Sequence, residues 1–347
     1  MSVPEHGRPR AVIFGCAGLS LDEWERRFFR DSDPLGFILF ARNIAAPDQV
    51  RQLVGALRDS IGRADAPVLI DQEGGRVARL RPPHWRTTQP AARFGRLDAD
   101  DSAAAEDACR LNARLIADEL SQLGITVDCA PVVDIPVPGA SDVIGDRAYG
   151  HEVARVVRLA RATAEGLLDG GVLPVIKHIP GHGRAYSDSH KELPRVDAPR
   201  AELERTDFAA FKALSDLPFA MTAHVLFSAI DPRRAATVSP SVVNDVIRSY
   251  IGFSGVLFSD DLSMEALGGD MRRRTHDALA AGCDVVLHCN GVRDEMRRVA
   301  DGAGGLSERT LRGLADAEAL RRRRAQPFGA DARHAATARL DGLLATG

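Results

Sequence analysis

The stretch Val172-Leu173-Pro174-Val175-Ile176-Lys177-His178-Ile179-Pro180-Gly181-His182-Gly183 decides how this chain folds. Its first five residues form an apolar run of strand length that passes directly into a cation and an imidazole, and Pro180, Gly181 and Gly183 then rule out a helix. The unit reads as a buried strand that hands charged side chains to a loop. Comparable runs stand at residues 11–14, 37–40, 67–70, 126–133, 219–222, 256–258 and 284–287, which makes eight together with 172–176. Helical spacing fills the intervals at 47–61, 103–123, 153–168, 200–214, 241–250 and 272–281. Parallel strands covered by helices produce this alternation, and eight repeats of it predict an α/β fold, a (β/α)8 TIM-type barrel.

At 347 residues the chain is long enough for one such barrel with insertions, and no linker or repeat divides it. We therefore expect a single catalytic domain over residues 1–347, with the barrel core at 10–290 and closing helices at 291–347. Residues 79–103, with Pro82, Pro83 and Trp85, read as an insertion after the third strand. The basic runs 321–324 and 272–274 read as solvated helix faces. With 45% hydrophobic and 27% charged residues, the composition excludes disordered, collagen-like and disulfide-scaffold classes. A net charge of -3 offers no general attraction to polyanions, so no nucleic-acid partner is expected. The five cysteines are widely spaced, form no CxxC pair and read as buried free thiols of a reducing compartment. Residues 1–10 are polar, the apolar run 11–16 is too short for a secretory signal, and no window reaches the roughly 18 apolar residues of a membrane span. A cytoplasmic protein without a membrane partner is the expectation.

In a barrel of this kind the active site is assembled at the C-terminal strand ends. Here those ends are polar. Strand two runs into Arg42 and Asn43, strand three into Asp71, Gln72 and Glu73, strand four into Asp134, and strand five into Lys177 and His178. Strand six ends at His224, strand seven at Asp260 and Asp261, and strand eight at His288 and Asn290. Unpaired charges are costly to bury, so their recurrence just past apolar runs predicts a shared polar cavity. Asp188 and His190, two residues apart in the loop after strand five, can pair so that the carboxylate orients the imidazole and raises its pKa, giving an acid/base near neutrality. Asp260 is placed to act as a carboxylate nucleophile, while Asp261 is expected to cap the following helix. The loop around Pro180 excludes His178 and His182 as a helical metal pair, and His182 is expected to hold its loop by hydrogen bonds.

The segments KHIPGHG (177–183) with DSH (188–190), FSDDLSMEAL (258–267), IDQEGGRVARL (70–80), VIGDRAYG (143–150), GFILFARN (36–43) and MTAHV (221–225) resemble those of the single-domain β-N-acetylglucosaminidases of glycoside hydrolase family 3. The resemblance covers residues 10–290. It implies a barrel enzyme that removes non-reducing terminal N-acetylglucosamine from cytoplasmic muropeptides in peptidoglycan recycling, with neither metal nor organic cofactor. It also implies Asp260 as the nucleophile of a retaining double displacement, His190 as acid/base with Asp188 as its partner, and Asp71, Arg79, Arg147, Lys177 and His178 around the cleaved sugar. Arg184 and Tyr186 fall in a variable stretch and are expected near the leaving group. A monomer is expected.

Other readings remain open on the sequence alone. A β-glucosidase or β-xylosidase of the same family, or a phosphorylase that passes the sugar to phosphate, would share these motifs. A metal-dependent barrel hydrolase would use His178, His182, His190 and His224, but Gly15, Cys16 and Ala17 stand where such barrels carry paired histidines. A sugar-binding protein that kept the fold without turnover is the non-enzymatic alternative.

Overall fold

The computed structural model describes residues 7–186 and 193–345, so Asp188 and His190 lie outside the described residues. The described strands are β1 (Arg10–Gly15), β2 (Pro34–Leu39), β3 (Val68–Ile70), β4 (Val127–Asp128), β5 (Leu173–Ile179), β6 (Arg195–Val196), β7 (Phe219–Thr222), β8 (Leu226–Phe227), β9 (Val256–Asp261) and β10 (Val285–His288). Eight of them close a barrel in the order β1-β10-β9-β7-β5-β4-β3-β2, with every neighbouring pair parallel, while β6 and β8 form a separate two-stranded ribbon. The fold is the expected (β/α)8 barrel.

Period-2 alternation splits the apolar residues into two shells. Ile13, Ile38, Leu69, Val127, Val175, Phe258 and Leu287 fill the inside of the barrel. Their sequence neighbours Val12, Phe37, Val68, Ile70, Ile176, Leu257 and Val286 pack outward against the helices. Truncating an inner side chain such as the buried Phe258 to alanine would cost about 3–5 kcal/mol.

The described helices are α1 (Glu23–Ser32), α2 (Pro47–Ser60), α3 (Ala91–Asp100), α4 (Ser102–Ser121), α5 (Val153–Asp169), α6 (Arg200–Arg205), α7 (Asp207–Lys212), α8 (Met271–Ala281), α9 (Arg293–Gly302), α10 (Glu308–Arg324) and α11 (Ala330–Ala345), with a π-helical segment at Val242–Tyr250. The helix expected at 200–214 is broken at Thr206, whose φ of -122° and ψ of -92° leave the helical region. The fourth strand is shorter than its apolar run because Pro131 can donate no ladder hydrogen bond, although Val133 N–H still reaches the Lys177 carbonyl at 2.7 Å. The insertion after β3 contains α3, and the tail folds as α10 and α11.

The run Arg321–Arg324 is a solvated face only at Arg322 and Arg323, which are exposed. Arg324 forks the Asp169 carboxylate and Arg321 donates to the Gly171 carbonyl, so α10 is riveted to the end of α5. All five cysteines are buried and free. Among the described residues no helix is long and apolar enough to cross a membrane.

Candidate active site

Alternation also determines which charges reach the barrel mouth. In β3 the inward Leu69 is followed two and four residues later by Asp71 and Glu73, in β5 Val175 is followed by Lys177, and in β9 Phe258 is followed by Asp260. A register slip between Lys177 and Ile179 against β7 lets His178 face the same opening. Asp71, Arg79, Arg147, Lys177, His178 and Asp260 therefore line one cavity of about 570 Å³ at the C-terminal end of the barrel.

The floor is an ion network. Lys177 Nζ, on a side chain only 2% exposed, lies 2.8 Å from Asp71 Oδ1 and 2.6 Å from Glu73 Oε1. Arg147 forks Glu73 with two hydrogen bonds of 2.8 Å, and Arg79 Nη2 reaches Asp71 Oδ2 at 3.2 Å. Burial alone would push both carboxyls up, but Lys177 with Arg79 on one side and Arg147 on the other outweighs it and holds Asp71 and Glu73 below the usual carboxylate range. Burial would likewise lower Lys177, yet the two carboxylates keep it protonated far above neutrality. Lys177 is thus a fixed cation and not a proton acceptor.

Glu73 belongs to this floor although it was absent from the expected sugar contacts. The signal for it was its place two residues beyond Asp71 on the same face of an extended segment.

Asp134, fully buried past β4, organises the loop after β5. Its Oδ2 lies 2.7 Å from His178 Nδ1, and its Oδ1 accepts the backbone N–H of His178 at 3.2 Å and of His182 at 2.7 Å. A carboxylate partner assigns the proton to Nδ1 of His178. Burial would raise the Asp134 carboxyl, but His178 and His182 beside it hold it low. Gly183 passes so close to Ile135 that a Cβ would sit 2.1 Å from its carbonyl oxygen, and this fixes where the loop leaves the barrel. Burial drives His182 down to about 4, so it stays neutral.

Asp260, one residue before the end of β9, is half-buried at the cavity, its Oδ1 accepting the Asp261 N–H at 2.8 Å. Burial would raise its carboxyl, but the neighbouring His224 and His178, the Asp261 amide and Lys177 together hold it below its ordinary value. It is an ionised carboxylate facing open space. His224 supports it from behind. Its Nε2 donates to the Asp261 carbonyl at 3.0 Å while Nδ1 accepts from Thr237 Oγ1 at 2.7 Å.

Three sequence expectations need correction. Asp261 caps no helix: it accepts from Ser263 N and Oγ and from Cys289 N, closing a turn and tying β9 to β10, whereas Asp270 caps α8. Arg274 is not on a solvated face, because it donates to the carbonyls of Leu262, Met264 and Gly269 and so clamps the loop after Asp260. Arg184, expected near the leaving group, commits its guanidinium to Asp207, Glu202 and Thr206 at 2.6–3.0 Å, while Tyr186 is 68% exposed and open to that role.

Of the histidines in the metal-hydrolase reading, His190 lies outside the described residues and two others are tied into the fold. Both ring nitrogens of His224 are engaged, His178 Nδ1 is bonded to Asp134, and no group of three acidic, histidine or cysteine residues among the described residues is placed to hold a metal. The arrangement suits a small polyhydroxylated ring, with carboxylates to accept from hydroxyls, cations to donate to them, and an ionised carboxylate at the rim.

Comparison with known proteins agrees with this geometry. Residues 23–312 match the model of the glycosyl hydrolase family 3 N-terminal domain. The chain is 41% identical over 286 residues to a β-hexosaminidase of Alkalilimnicola ehrlichii, covering 80% of each chain. It is 40% identical over 282 residues to a β-hexosaminidase of Methylococcus capsulatus, covering 80% of this chain and 82% of the relative. Its fold is similar to that of NagZ from Neisseria gonorrhoeae crystallised with N-trifluoroacetyl-D-glucosamine, with a TM-score of 0.84, 30% identity and 99% of both chains covered.

Proposed function

This chain belongs to glycosyl hydrolase family 3 and is a glycoside hydrolase, and from that premise we propose that it is a retaining exo-β-N-acetylglucosaminidase acting on muropeptides. The observation that carries the reading is the Asp260 carboxylate, held ionised at the rim of a cavity whose floor is the Lys177–Asp71–Glu73 network. Relatives named β-hexosaminidase and the N-acylglucosamine bound to the Neisseria NagZ support N-acetylglucosamine as the sugar.

In the proposed mechanism Asp260 attacks the anomeric carbon as His190 protonates the departing oxygen. A covalent glycosyl-enzyme forms. His190, now neutral, takes a proton from water that attacks the same carbon, releasing the sugar with its configuration retained and restoring Asp260. Asp188 orients His190. An imidazole that becomes neutral on giving up its proton places no second anion beside Asp260. Asp71, Arg79, Arg147, Lys177 and His178 hold the ring, and no step calls for a metal or organic cofactor. The whole chain would act as one catalytic unit, a monomer in the cytoplasm, on soluble fragments of recycled peptidoglycan.

Turnover of 4-nitrophenyl β-N-acetylglucosaminide by wild type, Asp260→Ala and His190→Ala tests this reading, with azide added to each. Wild-type activity lost in Asp260→Ala and a β-glycosyl azide formed by His190→Ala are expected. Cleavage of the glucoside in place of the N-acetylglucosaminide would overturn the sugar, and phosphorolysis on adding phosphate would overturn water as the acceptor.

A further inference from the structure

A second cleft, of about 600 Å³, opens beside the first and has no part in the chemistry above. The two adjoin along the loop after β9, whose Met264 and Glu265 line the active-site cavity and whose Ala266 and Leu267 line the cleft. Leu193, the first described residue after the segment that carries His190, forms part of its wall.

The charge of this cleft sets it apart. Arg233, Arg234 and Arg273 line it, with Asp277 as the lining carboxylate. Asp277 is paired with Arg273 one helical turn away, at 3.4 Å. Asp231 accepts Arg233 N–H and Ser239 Oγ, and its carboxylate also feels the Arg234 backbone amide and charge without forming a salt bridge to it. Among the described residues no carboxylate pairs with the guanidinium of Arg233 or Arg234, both of which are exposed. Two guanidinium groups without a salt-bridge partner among the described residues, Arg234 sharing only the field of the nearby Asp231, therefore line a concave surface, and each presents a planar fork that matches a carboxylate.

The segment that carries them is anchored in the core and hydrogen-bonded toward Asp260. Immediately after Arg234, Ala235, Ala236 and Thr237 are buried, and Ala236 N–H bonds the Val225 carbonyl at 2.8 Å. Thr237 Oγ1 meets His224 Nδ1, and His224 Nε2 holds the Asp261 carbonyl. The arginine pair and Asp260 are thus two ends of one hydrogen-bonded frame, so a ligand held at one end keeps a defined place relative to the other.

We propose that the Arg233–Arg234 cleft is a leaving-group subsite that binds the carboxylates of a peptide-bearing aglycone. The proposal rests on the glucosaminidase reading and adds a specificity determinant to it: the barrel mouth holds the sugar, and the arginine cleft selects what is attached to it. An acyl-peptide substituent with free carboxylates fits, whereas a neutral chitobiose or aryl leaving group leaves the cleft unused. Exposed charges are screened over about 10 Å at 0.1 M salt, so the contribution falls as salt rises.

The test compares wild type with Arg233→Ala/Arg234→Ala and with Arg234→Glu on three substrates: the aryl N-acetylglucosaminide, N,N'-diacetylchitobiose, and an N-acetylglucosaminyl-anhydromuramyl peptide with free carboxyls. We expect the double variant to raise KM for the peptide substrate about tenfold, with kcat little changed, as loss of uniform binding requires. Arg234→Glu should raise it further, and the wild-type preference should shrink in high salt. Activity on the aryl glycoside, which has no carboxylate, reports that both variants are folded. A wild type that cleaves all three substrates while the variants keep the wild-type ratio of KM values overturns the subsite alone. A wild type that cleaves none overturns the glucosaminidase reading and the subsite with it.

Discussion

Lys177 and Glu73 meet in the floor of the cavity, Nζ to Oε1 at 2.6 Å, with 2% and 7% of their side chains exposed. Charges so deeply placed persist because each is compensated: Lys177 by two carboxylates, Glu73 by Lys177 and Arg147. Removing one partner is costly. Glu73→Ala leaves two buried cations short of a carboxylate and should destabilise the chain by about 3–5 kcal/mol, read as a lowered urea midpoint. An unchanged midpoint would show that the network is solvated and carries no structural weight.

Asp134 holds His178 through one oxygen and two loop amides through the other. Asp134→Asn keeps an acceptor for the amides but sets an amide donor against the imidazole, favouring the wrong tautomer of His178. We expect kcat to fall at least about tenfold with a small change in melting temperature, since a wrong tautomer disables an otherwise intact site. Equal losses in kcat and stability would instead assign Asp134 a packing role only.

Asp128 gives a pH signature that is independent of catalysis. It points out of the barrel toward α4 and α5, with Gln72 N–H on Oδ1 and, among the described residues, no hydrogen-bond partner on Oδ2, and burial pushes its carboxyl up to about 7. The folded chain thus keeps a proton that the unfolded chain releases near pH 4. That contribution is complete below pH 4 and is lost as pH rises through about 7. His182, driven down to about 4, has the opposite slope, contributing fully above about pH 6.5 and losing it as pH falls. It is common to wild type and variant and cancels in their difference. Asp128→Asn should therefore gain stability relative to wild type between pH 4 and 7, by on the order of a few kcal/mol in urea unfolding. A difference that stays flat with pH would contradict this.

The barrel was legible because an inner strand of this fold must be apolar on both faces, and Val172–Ile176 and its seven counterparts are. Asp71, Lys177 and Asp260 were legible because they stand where an apolar run stops. The clamps were not. Arg184, Arg274 and Arg324 read as solvent-facing or substrate-facing because nothing local names their partners, which lie on other helices or are backbone carbonyls. The break at Thr206 was hidden for a similar reason: its flanking residues keep helical spacing, and the partner of its hydroxyl at the break, Arg184, lies more than twenty residues away in the sequence. Local pattern records which face a residue takes, and long-range hydrogen bonding decides what it does there.

The most direct test of the central claim is to trap the glycosyl-enzyme with a slow fluorinated N-acetylglucosaminyl substrate, digest it and locate the added mass by peptide sequencing. One sugar per chain is expected, attached to Asp260 in the peptide containing Phe258-Ser259-Asp260-Asp261. A sugar attached to Asp71 or Glu73, or full turnover by Asp260→Ala with no adduct at all, would contradict it.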